Sequence, residues 1–210
     1  MTNPDMVRKR IPQCNPKANY LSYKADIDIA VAAALDNGRY ILGDNVSSFE
    51  KEYAEYVGVK HCIGVGSGTE AIHLALRTIG IGAGDEVITV SHTAVATVAA
   101  IEMAGASPVL VDVDPETFLM DLNKMEKAVT PRTKAIITVH LYGQALDMER
   151  VMSFARSKGI NVIEDCAQSH GASFKGDKTG AFGMMSAFSF YPTKNLRSEE
   201  RRVGKECSLP

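Results

Sequence analysis

The sequence lacks the features that mark membrane, secreted and nucleic-acid-binding proteins. It has no run of about 18 apolar residues that could span a bilayer, and residues 1–13 hold no apolar segment of a signal peptide. The first 196 residues carry no basic block, and 23 basic side chains are balanced by 25 acidic ones. Neither nucleic acid nor a membrane is therefore expected as a partner, and we expect a cytoplasmic protein.

Cysteine pairs with metal-ligand spacing are also absent. The four cysteines are Cys14, Cys62, Cys166 and Cys207, none of them in a C-x-x-C pair. The nearest approaches to a zinc site are Cys166 with His170 and His61 beside Cys62. Because a structural zinc ion needs a cluster of ligands, buried reduced thiols and surface histidines explain these residues better. No metal site is predicted.

The composition is that of a globular protein, with 45% hydrophobic and 23% charged residues. Short apolar runs alternate with helical patterns from residue 62 onward. The predicted strands are 62–65, 86–90, 108–112, 135–140, 161–164 and 186–190, and the predicted helices are 69–79, 94–104, 121–128 and 147–157. Several strands are apolar on both faces, which predicts an α/β fold with a mostly parallel sheet.

The two ends of the chain have other patterns. Residues 1–23 are predicted to be irregular, and a helix over residues 25–35 is stopped by Asn37-Gly38. A short extended piece at residues 40–43 and a helix from Ser47 or Ser48 to Tyr56 follow. The last fourteen residues are charge-dense without an apolar period, which is typical of a solvated tail.

A glycine-rich turn connects the first predicted strand to its helix. In Gly64-Val65-Gly66-Ser67-Gly68-Thr69 the glycines allow close approach of an anion, and the helix start and two hydroxyls offer donors. The turn matches neither G-x-G-x-x-G nor G-x-x-x-x-G-K-[ST], so a dinucleotide site and a P-loop are not supported. A phosphate cradle and an ordinary tight turn both remain open at this point.

Two further segments carry candidate chemistry. Asp165, in Glu164-Asp165-Cys166-Ala167-Gln168, ends an apolar strand, where parallel sheets bind ligands. Lys194 follows an aromatic strand and is preceded by Ser189; burial would make its amine nucleophilic. Taken singly, the aspartate could be a loop residue and the lysine a solvated one.

The order of these signals is more specific than any one of them. A phosphate-binding turn, a strand-end aspartate and a lysine 29 residues after Asp165 are the parts of a pyridoxal phosphate (PLP) site. The aldehyde needs an amine, the pyridine nitrogen needs a carboxylate, and the phosphate needs N–H and hydroxyl donors. We therefore predict a PLP enzyme.

The sequence resembles the DegT/DnrJ/StrS-type sugar aminotransferases, PLP enzymes of the aspartate-aminotransferase fold. The resemblance covers about residues 25–196, and its motifs lie at residues 40–43, 49–50, 66–69, 95–97, 108–114, 140–144, 164–168 and 189–196. It implies a three-layer α/β/α domain with a mostly parallel sheet. It also implies that residues 1–24 form an N-terminal segment and residues 25–196 part of the PLP-binding large domain.

The resemblance assigns a role to each candidate residue. Lys194 would bond the PLP aldehyde and later move protons, and Asp165 would bond the pyridine nitrogen. Gln168 would lie against the ring and its phenolic oxygen, while Ser189 and the Gly68-Thr69 turn would hold the phosphate. The family commonly moves an amino group from glutamate to a keto group of a nucleotide-linked sugar. Lys194 argues against the related dehydratases, in which histidine replaces this lysine.

Two departures from the family pattern stand out. Many members place an aromatic residue, stacked on the pyridine ring, where this chain has Ala94, and we expect His92 or another group to substitute. This pattern resembles a subset that aminates dTDP-linked 3-keto-6-deoxyhexoses. The resemblance also stops near Leu196, so we expect a truncated chain without the small C-terminal domain, whose residues 197–210 are an artefactual, non-homologous tail.

Three functions follow from these patterns. The first is a PLP-dependent nucleotide-sugar aminotransferase of deoxysugar or polysaccharide biosynthesis, a homodimer in its full-length form. The second is an inactive fragment or a regulatory or binding protein of the same fold. The third, an unrelated dinucleotide binder, lacks the glycine spacing it requires.

Overall fold

The computed structural model describes residues 15–194 and the backbone of residues 205–209. The chain divides into two compact units, one ending at Tyr40 and the other beginning at Ile41. Among the described residues, no helix combines the length and the apolarity that crossing a membrane requires.

The described residues of the first unit form two helices, α1 (Pro16–Ser22) and α2 (Lys24–Asn37). Asn15 starts α1, since its side-chain oxygen accepts the Ala18 N–H at 3.1 Å, and a proline occupies the first turn. The predicted irregular segment is therefore wrong for residues 16–22. The predicted helix 25–35 is confirmed as α2, which ends at Gly38 in the left-handed conformation.

The second unit is built around a seven-stranded sheet. Its strands are β1 (His61–Val65), β2 (Glu86–Val90), β3 (Ser107–Val111), β4 (Thr133–Val139), β5 (Asn161–Asp165), β8 (Met185–Ala187) and β9 (Lys205–Leu209), and a separate hairpin consists of β6 (Ser173–Phe174) and β7 (Asp177–Lys178). The order across the sheet is β1-β9-β8-β5-β4-β2-β3. Strand β9 is antiparallel to β1 and β8, and the other described pairs of this sheet are parallel.

Helices cover both faces of the sheet. They are α3 (Asp44–Val57), α4 (Gly68–Thr78), α5 (Val95–Met103), α6 (Leu122–Lys127) and α7 (Met148–Lys158), with a 3₁₀ turn at Leu141–Gly143. Successive strand residues point to opposite faces, and Ile137 accordingly packs with α4 and α5 while Ile136 packs with α6 and α7. The predicted three-layer α/β/α fold with a mostly parallel sheet is confirmed.

Three predicted segments differ from the structure. Residues 40–43 do not form an extended piece, since Leu42 adopts a positive φ of 48°. Helix α3 begins at Asp44 rather than at Ser47 or Ser48, because Gly43 is extended and its carbonyl already accepts the Val46 N–H. The last predicted strand ends at Ala187 rather than at residue 190, and the residues that follow pack against α3.

The predicted solvated tail is wrong for residues 205–209. Their backbone forms β9, which fills the space between β1 and β8 and pairs with both. Each neighbouring strand has backbone N–H and C=O groups along its edge, and such edges attract a further strand. The remaining residues of the predicted tail lie outside the described part of the chain.

Candidate functional site

The glycine-rich turn places the start of α4 at the end of β1. Ser67 caps the helix, and its hydroxyl accepts the Glu70 N–H at 2.9 Å. Gly68 and Thr69 follow as the first helical residues, whose N–H groups have no acceptor within a helix and meet the positive end of its dipole. N–H groups at a helix start can bind an anion, so this geometry is compatible with the predicted phosphate site.

Gly68 is in close contact with Ser189. A Cβ atom at Gly68 would lie 3.1 Å from the Ser189 Cβ and 3.5 Å from its Oγ. Only a residue without a side chain fits here comfortably, because both elements approach the same point. The structure thus brings together the predicted phosphate-binding turn and the predicted phosphate-binding serine, which are more than a hundred residues apart in the sequence.

Asp165 is the last residue of β5 and is buried. Its Oδ2 accepts the Thr97 hydroxyl at 2.8 Å, and its Oδ1 accepts the Ala167 N–H at 3.1 Å. Burial raises the pKa of the carboxyl, an effect that the two donors and the nearby charge of Lys194 reduce in part. A buried carboxylate in this setting favours a cationic partner.

Lys194 lies in a turn that its own N–H closes on the Tyr191 carbonyl at 2.8 Å. Its side chain is close enough for its charge to lower the pKa values of both Asp165 and His170. The structure therefore brings Lys194 near the predicted carboxylate partner. No feature of the local sequence pattern alone could establish this proximity, because Asp165 ends β5 and Lys194 lies in a turn after β8.

Gln168 contacts the 3₁₀ turn after β4. Its Oε1 accepts the Tyr142 N–H at 3.1 Å, and Tyr142 itself has a positive φ of 56°. The Tyr142 hydroxyl is 3.5 Å from Nε2 of His92, and the two rings are 6.1 Å apart. His92 is exposed. Tyr142 thus connects two predicted site residues, and the sequence analysis did not single it out.

A buried network that the sequence analysis missed lies beside Asp165. His140 and Glu164 are both fully buried, and Nε2 of His140 is 3.0 Å from Oε2 of Glu164. Nδ1 of His140 accepts the Leu146 N–H at 3.1 Å, so Nε2 carries the proton and donates it to Glu164. The sequence signals were that both residues lie in motifs of the family resemblance and that Glu164 directly precedes Asp165.

The Glu164 carboxylate has three further donors. They are the backbone N–H groups of Gly180, Phe182 and Gly183, at 2.7–2.8 Å. His140, Glu164 and Cys166 also have ligand atoms within 4.8 Å of one another, as a metal site would require. Both nitrogens of the histidine ring are already hydrogen-bonded, however, and burial raises the pKa of the thiol well above its usual value. These groups are therefore occupied as a structural network.

The zinc pairings considered from the sequence are not assembled either. Nδ1 of His170 is 2.6 Å from the Tyr53 hydroxyl, and Nε2 is 2.9 Å from the Ser189 carbonyl oxygen. Both ring nitrogens of His170 thus have hydrogen-bond partners, and Cys166 is not one of them. His61 and Cys62 are adjacent residues of β1, whose side chains alternate between the two faces.

The start of α4, Asp165 and Lys194 lie at one edge of the sheet, at or beyond the carboxyl ends of parallel strands. This is the edge where α/β folds bind ligands. The arrangement combines a helix start with free N–H groups, a buried carboxylate and a nearby lysine. The fold and this arrangement define a large domain of the aspartate-aminotransferase fold, the first class of PLP enzymes. The chain belongs to the DegT/DnrJ/EryC1/StrS aminotransferase family, whose model matches residues 22–200.

Several named proteins and solved structures are similar to this chain. The chain is 52% identical, over 84% of its length and 47% of the relative's, to dTDP-3-amino-3,4,6-trideoxy-alpha-D-glucose transaminase of Micromonospora megalomicea subsp. nigra. The structure of DesV from S. venezuelae with a ketimine intermediate matches with a TM-score of 0.91 and 44% identity, over 95% of this chain and 53% of that one. NtdA of Bacillus subtilis with bound PMP matches with a TM-score of 0.84 and 30% identity, over 96% of this chain and 46% of that one. The chain thus spans about half the length of these relatives.

Proposed function

We propose that the chain is part of a PLP-dependent aminotransferase that aminates the keto group of a nucleotide-linked deoxysugar. The observation that carries the proposal is the meeting of the Gly68 turn with Ser189, beside the buried Asp165 and the nearby Lys194. The sugar-transaminase relative at 52% identity supports the substrate class. An amino acid, with glutamate as the first candidate, is the proposed amino donor.

The described residues fit PLP as the cofactor. The start of α4 and the Ser189 hydroxyl offer donors to a phosphate, and the missing side chain of Gly68 leaves their approach open. Burial raises the pKa of Asp165, so a protonated ring nitrogen would compensate a charge that the folded protein otherwise disfavours. Bound PLP supplies an aldehyde carbon and a ring that withdraws electrons.

Each residue of this chain has a distinct proposed role. Lys194 provides the amine that holds the cofactor and then carries a proton to and from the substrate carbon. Asp165 keeps the proton on the ring nitrogen, and Thr97 orients that carboxylate through its hydroxyl. Ser189 and the N–H groups of Gly68 and Thr69 bind the phosphate.

Gln168 and His92 are proposed to border the cofactor ring. The amide oxygen of Gln168 accepts the Tyr142 N–H, which leaves its NH₂ group to donate toward a phenolic oxygen. Ala94 is the N-cap of α5 and has no ring of its own. The exposed imidazole of His92, on the same loop as Ala94, lies beside the Tyr142 ring. An imidazole or a phenol can supply the flat surface that Ala94 lacks.

The substrate proposed in detail is a dTDP-linked 3-keto-6-deoxyhexose. The relative from Micromonospora is named for a 3-amino deoxysugar carried on dTDP, and this supports both the keto position and the nucleotide. Such a product would serve deoxysugar or polysaccharide biosynthesis. A test is the release of 2-oxoglutarate when full-length protein is given glutamate and the dTDP-linked ketosugar, compared with the UDP-linked analogue.

The full-length enzyme is proposed to be a cytoplasmic homodimer. Large apolar side chains of the second unit are exposed, among them Ile41 at 76%, Leu42 at 75% and Val95 at 82%, and contact with a second copy would cover them. Cys166 is a buried free thiol, which suits a reducing compartment. Sedimentation of the full-length protein at two concentrations tests the dimer.

The domain assignment is also proposed. Residues 25–196 would form part of the PLP-binding domain, after an N-terminal segment over residues 1–24, and residues 197–210 would not belong to the family sequence. The family match over residues 22–200 supports the first part of this proposal. Sequencing the source DNA beyond the Lys194 codon tests the second part. A reading frame that continues with family sequence in place of residues 197–210 would support it.

The enzyme is tested by trapping the cofactor. Full-length protein is mixed with PLP, reduced with borohydride and digested, and the peptide containing Lys194 is weighed. A pyridoxyl adduct on Lys194, lost in Lys194→Ala together with transamination, is expected because, among the lysines of residues 15–194, it is Lys194 whose charge acts on Asp165. A folded protein without that adduct would instead favour the second function, an inactive or regulatory protein of the same fold.

A further inference from the structure

Tyr53 and His170 form a hydrogen-bonded pair that holds the segment bearing Ser189. Helix α3 provides Tyr53, and the loop after β5 provides His170. The Ser189 carbonyl can only accept, so the Nε2–H of His170 donates to it at 2.9 Å. Burial lowers the pKa of the imidazole, and in the neutral ring Nδ1 accepts the Tyr53 hydroxyl proton at 2.6 Å. The two hydrogen bonds thus hold the neutral imidazole in a single tautomer.

Aromatic rings hold the same segment on both sides of Ser189. Phe188 and Phe190 lie 5.1 and 5.2 Å from the Tyr53 ring, with edge-to-face geometry. The His170 ring lies 5.3 and 4.8 Å from the same two phenylalanines. Such ring pairs stabilise defined orientations. Ser189 is therefore fixed at its carbonyl and through both neighbouring side chains.

This fixation determines where the Ser189 side chain lies. With the carbonyl bonded to His170, the Cβ and Oγ of Ser189 face Gly68 at the start of α4. Lys194 follows five residues later, in a turn closed on the Tyr191 carbonyl. Burial and, to a smaller extent, the charge of Lys194 lower the pKa of His170, which keeps the imidazole neutral. Ser189 and Lys194 thus lie on one segment, which the Tyr53–His170 pair holds.

We propose that Tyr53 and His170 act as positioning residues, which fix the 188–194 segment so that Ser189 faces the helix start and Lys194 lies near Asp165. Neither residue contacts the reacting atoms. The expected effect on cofactor binding rests on the proposed function. The positioning of the 188–194 segment itself concerns only residues of this chain. A mutation of the pair should therefore change the chemistry of Lys194 even without cofactor.

The test compares variants that separate hydrogen bonding from packing. His170→Phe keeps a ring but loses both hydrogen bonds, and Tyr53→Phe loses only the hydroxyl. His170→Gln retains a donor for the Ser189 carbonyl. Phe49→Leu is the matched control, because its ring packs against Tyr53 and Phe190 at 5.7 and 5.3 Å but has no polar atom.

Two readouts are made on the full-length protein. The first is the dissociation constant of PLP, measured by absorbance and by trapping at Lys194. The second, in cofactor-free protein, is the labelling rate of Lys194 by an amine reagent relative to the exposed Lys127. We expect His170→Phe, which loses two hydrogen bonds, to weaken PLP binding about tenfold, and Tyr53→Phe, which loses one, to weaken it about threefold. His170→Gln should restore most of the loss.

The outcomes distinguish this proposal from the proposed function. If wild-type protein does not bind PLP at Lys194, the proposed function fails, and the labelling ratio alone decides the positioning role. A ratio that changes at least twofold in both His170→Phe and Tyr53→Phe, but not in Phe49→Leu, supports it. Equal effects in Phe49→Leu, or an unchanged ratio in Tyr53→Phe, would overturn it, since packing alone would then explain the contacts.

Discussion

The Thr97 hydroxyl donates to Oδ2 of Asp165 at 2.8 Å and so connects the first turn of α5 to the carboxyl end of β5. Because that proton is given to the carboxylate, the oxygen of Thr97 accepts from the Thr93 hydroxyl, 2.9 Å away. A short chain of hydroxyls thus ends on the buried carboxylate. Its effect is to lower the pKa of Asp165 against the larger effect of burial.

The first prediction concerns this hydrogen bond. Thr97→Val removes the donor with little change of shape, so the pKa of Asp165 should rise further above its usual value. In the full-length enzyme Asp165 must be ionised to hold the ring proton. The acid limb of the kcat/KM profile should therefore move to higher pH. Thr93→Val, which leaves the direct donor in place, is the control, and an equal displacement in both variants would contradict the assignment.

The second prediction concerns stability without cofactor. Since burial raises the folded-state pKa of Asp165, its contribution to stability is fullest below the unfolded-state pKa and falls as pH rises through the folded value. Asp165→Asn removes this pH-dependent loss of stability. The melting temperature of the cofactor-free variant should therefore be above that of wild type at pH 7 and approach the wild-type value in acid. Turnover should nevertheless fall about 100-fold or more, because the ring proton loses its partner.

The control for this variant is an aspartate whose pKa is lowered rather than raised. The Val113 N–H and Lys124 lower the pKa of the exposed Asp112. Asp112→Asn should therefore not raise the melting temperature at pH 7. A melting temperature of Asp165→Asn that is below wild type at pH 7, or that does not depend on pH, would argue against a buried and unfavourable carboxylate.

The third prediction concerns the contact between the helix start and Ser189. Gly68→Ala would place a Cβ 3.1 Å from the Ser189 Cβ, closer than most real contacts. The two elements must separate slightly, and the phosphate donors with them, so PLP should bind about tenfold more weakly. In Gly82→Ala the nearest atom would be 3.6 Å away, an ordinary contact. Absorbance titration should therefore give a wild-type dissociation constant for that control.

The sheet could be predicted from sequence because its strands carry their own signals. The prediction for β2 matches the structure at both ends, since every residue of Glu86–Val90 is buried and lies between turn residues. The error at the last parallel strand has a clear cause. Phe188 and Phe190 are apolar like strand residues, but their rings pack with Tyr53 rather than across the sheet. Periodicity records that a residue is buried, not which element buries it.

The candidate site was partly predictable for a different reason. Gly68, Asp165, Ser189 and Lys194 each follow or precede a strand, so a parallel sheet gathers them at one edge whatever their separation in sequence. Residues that act through another side chain have no such signal. Thr97 was included only as part of a motif, because its partner, Asp165, is 68 residues away.

The last prediction concerns Glu164, whose two oxygens accept four hydrogen bonds in a fully buried position. Oε2 accepts from His140 and Gly180, and Oε1 accepts from Phe182 and Gly183. Glu164→Gln replaces one oxygen with an NH₂ group, which faces at least one N–H donor and leaves it unpaired. The free energy of unfolding should fall by about 3 kcal/mol. Urea unfolding of the full-length protein measures this loss, with the exposed Glu116→Gln as control. A Glu164→Gln variant as stable as that control would mean that the network is not formed, because no rotation of the amide can satisfy donors on both sides.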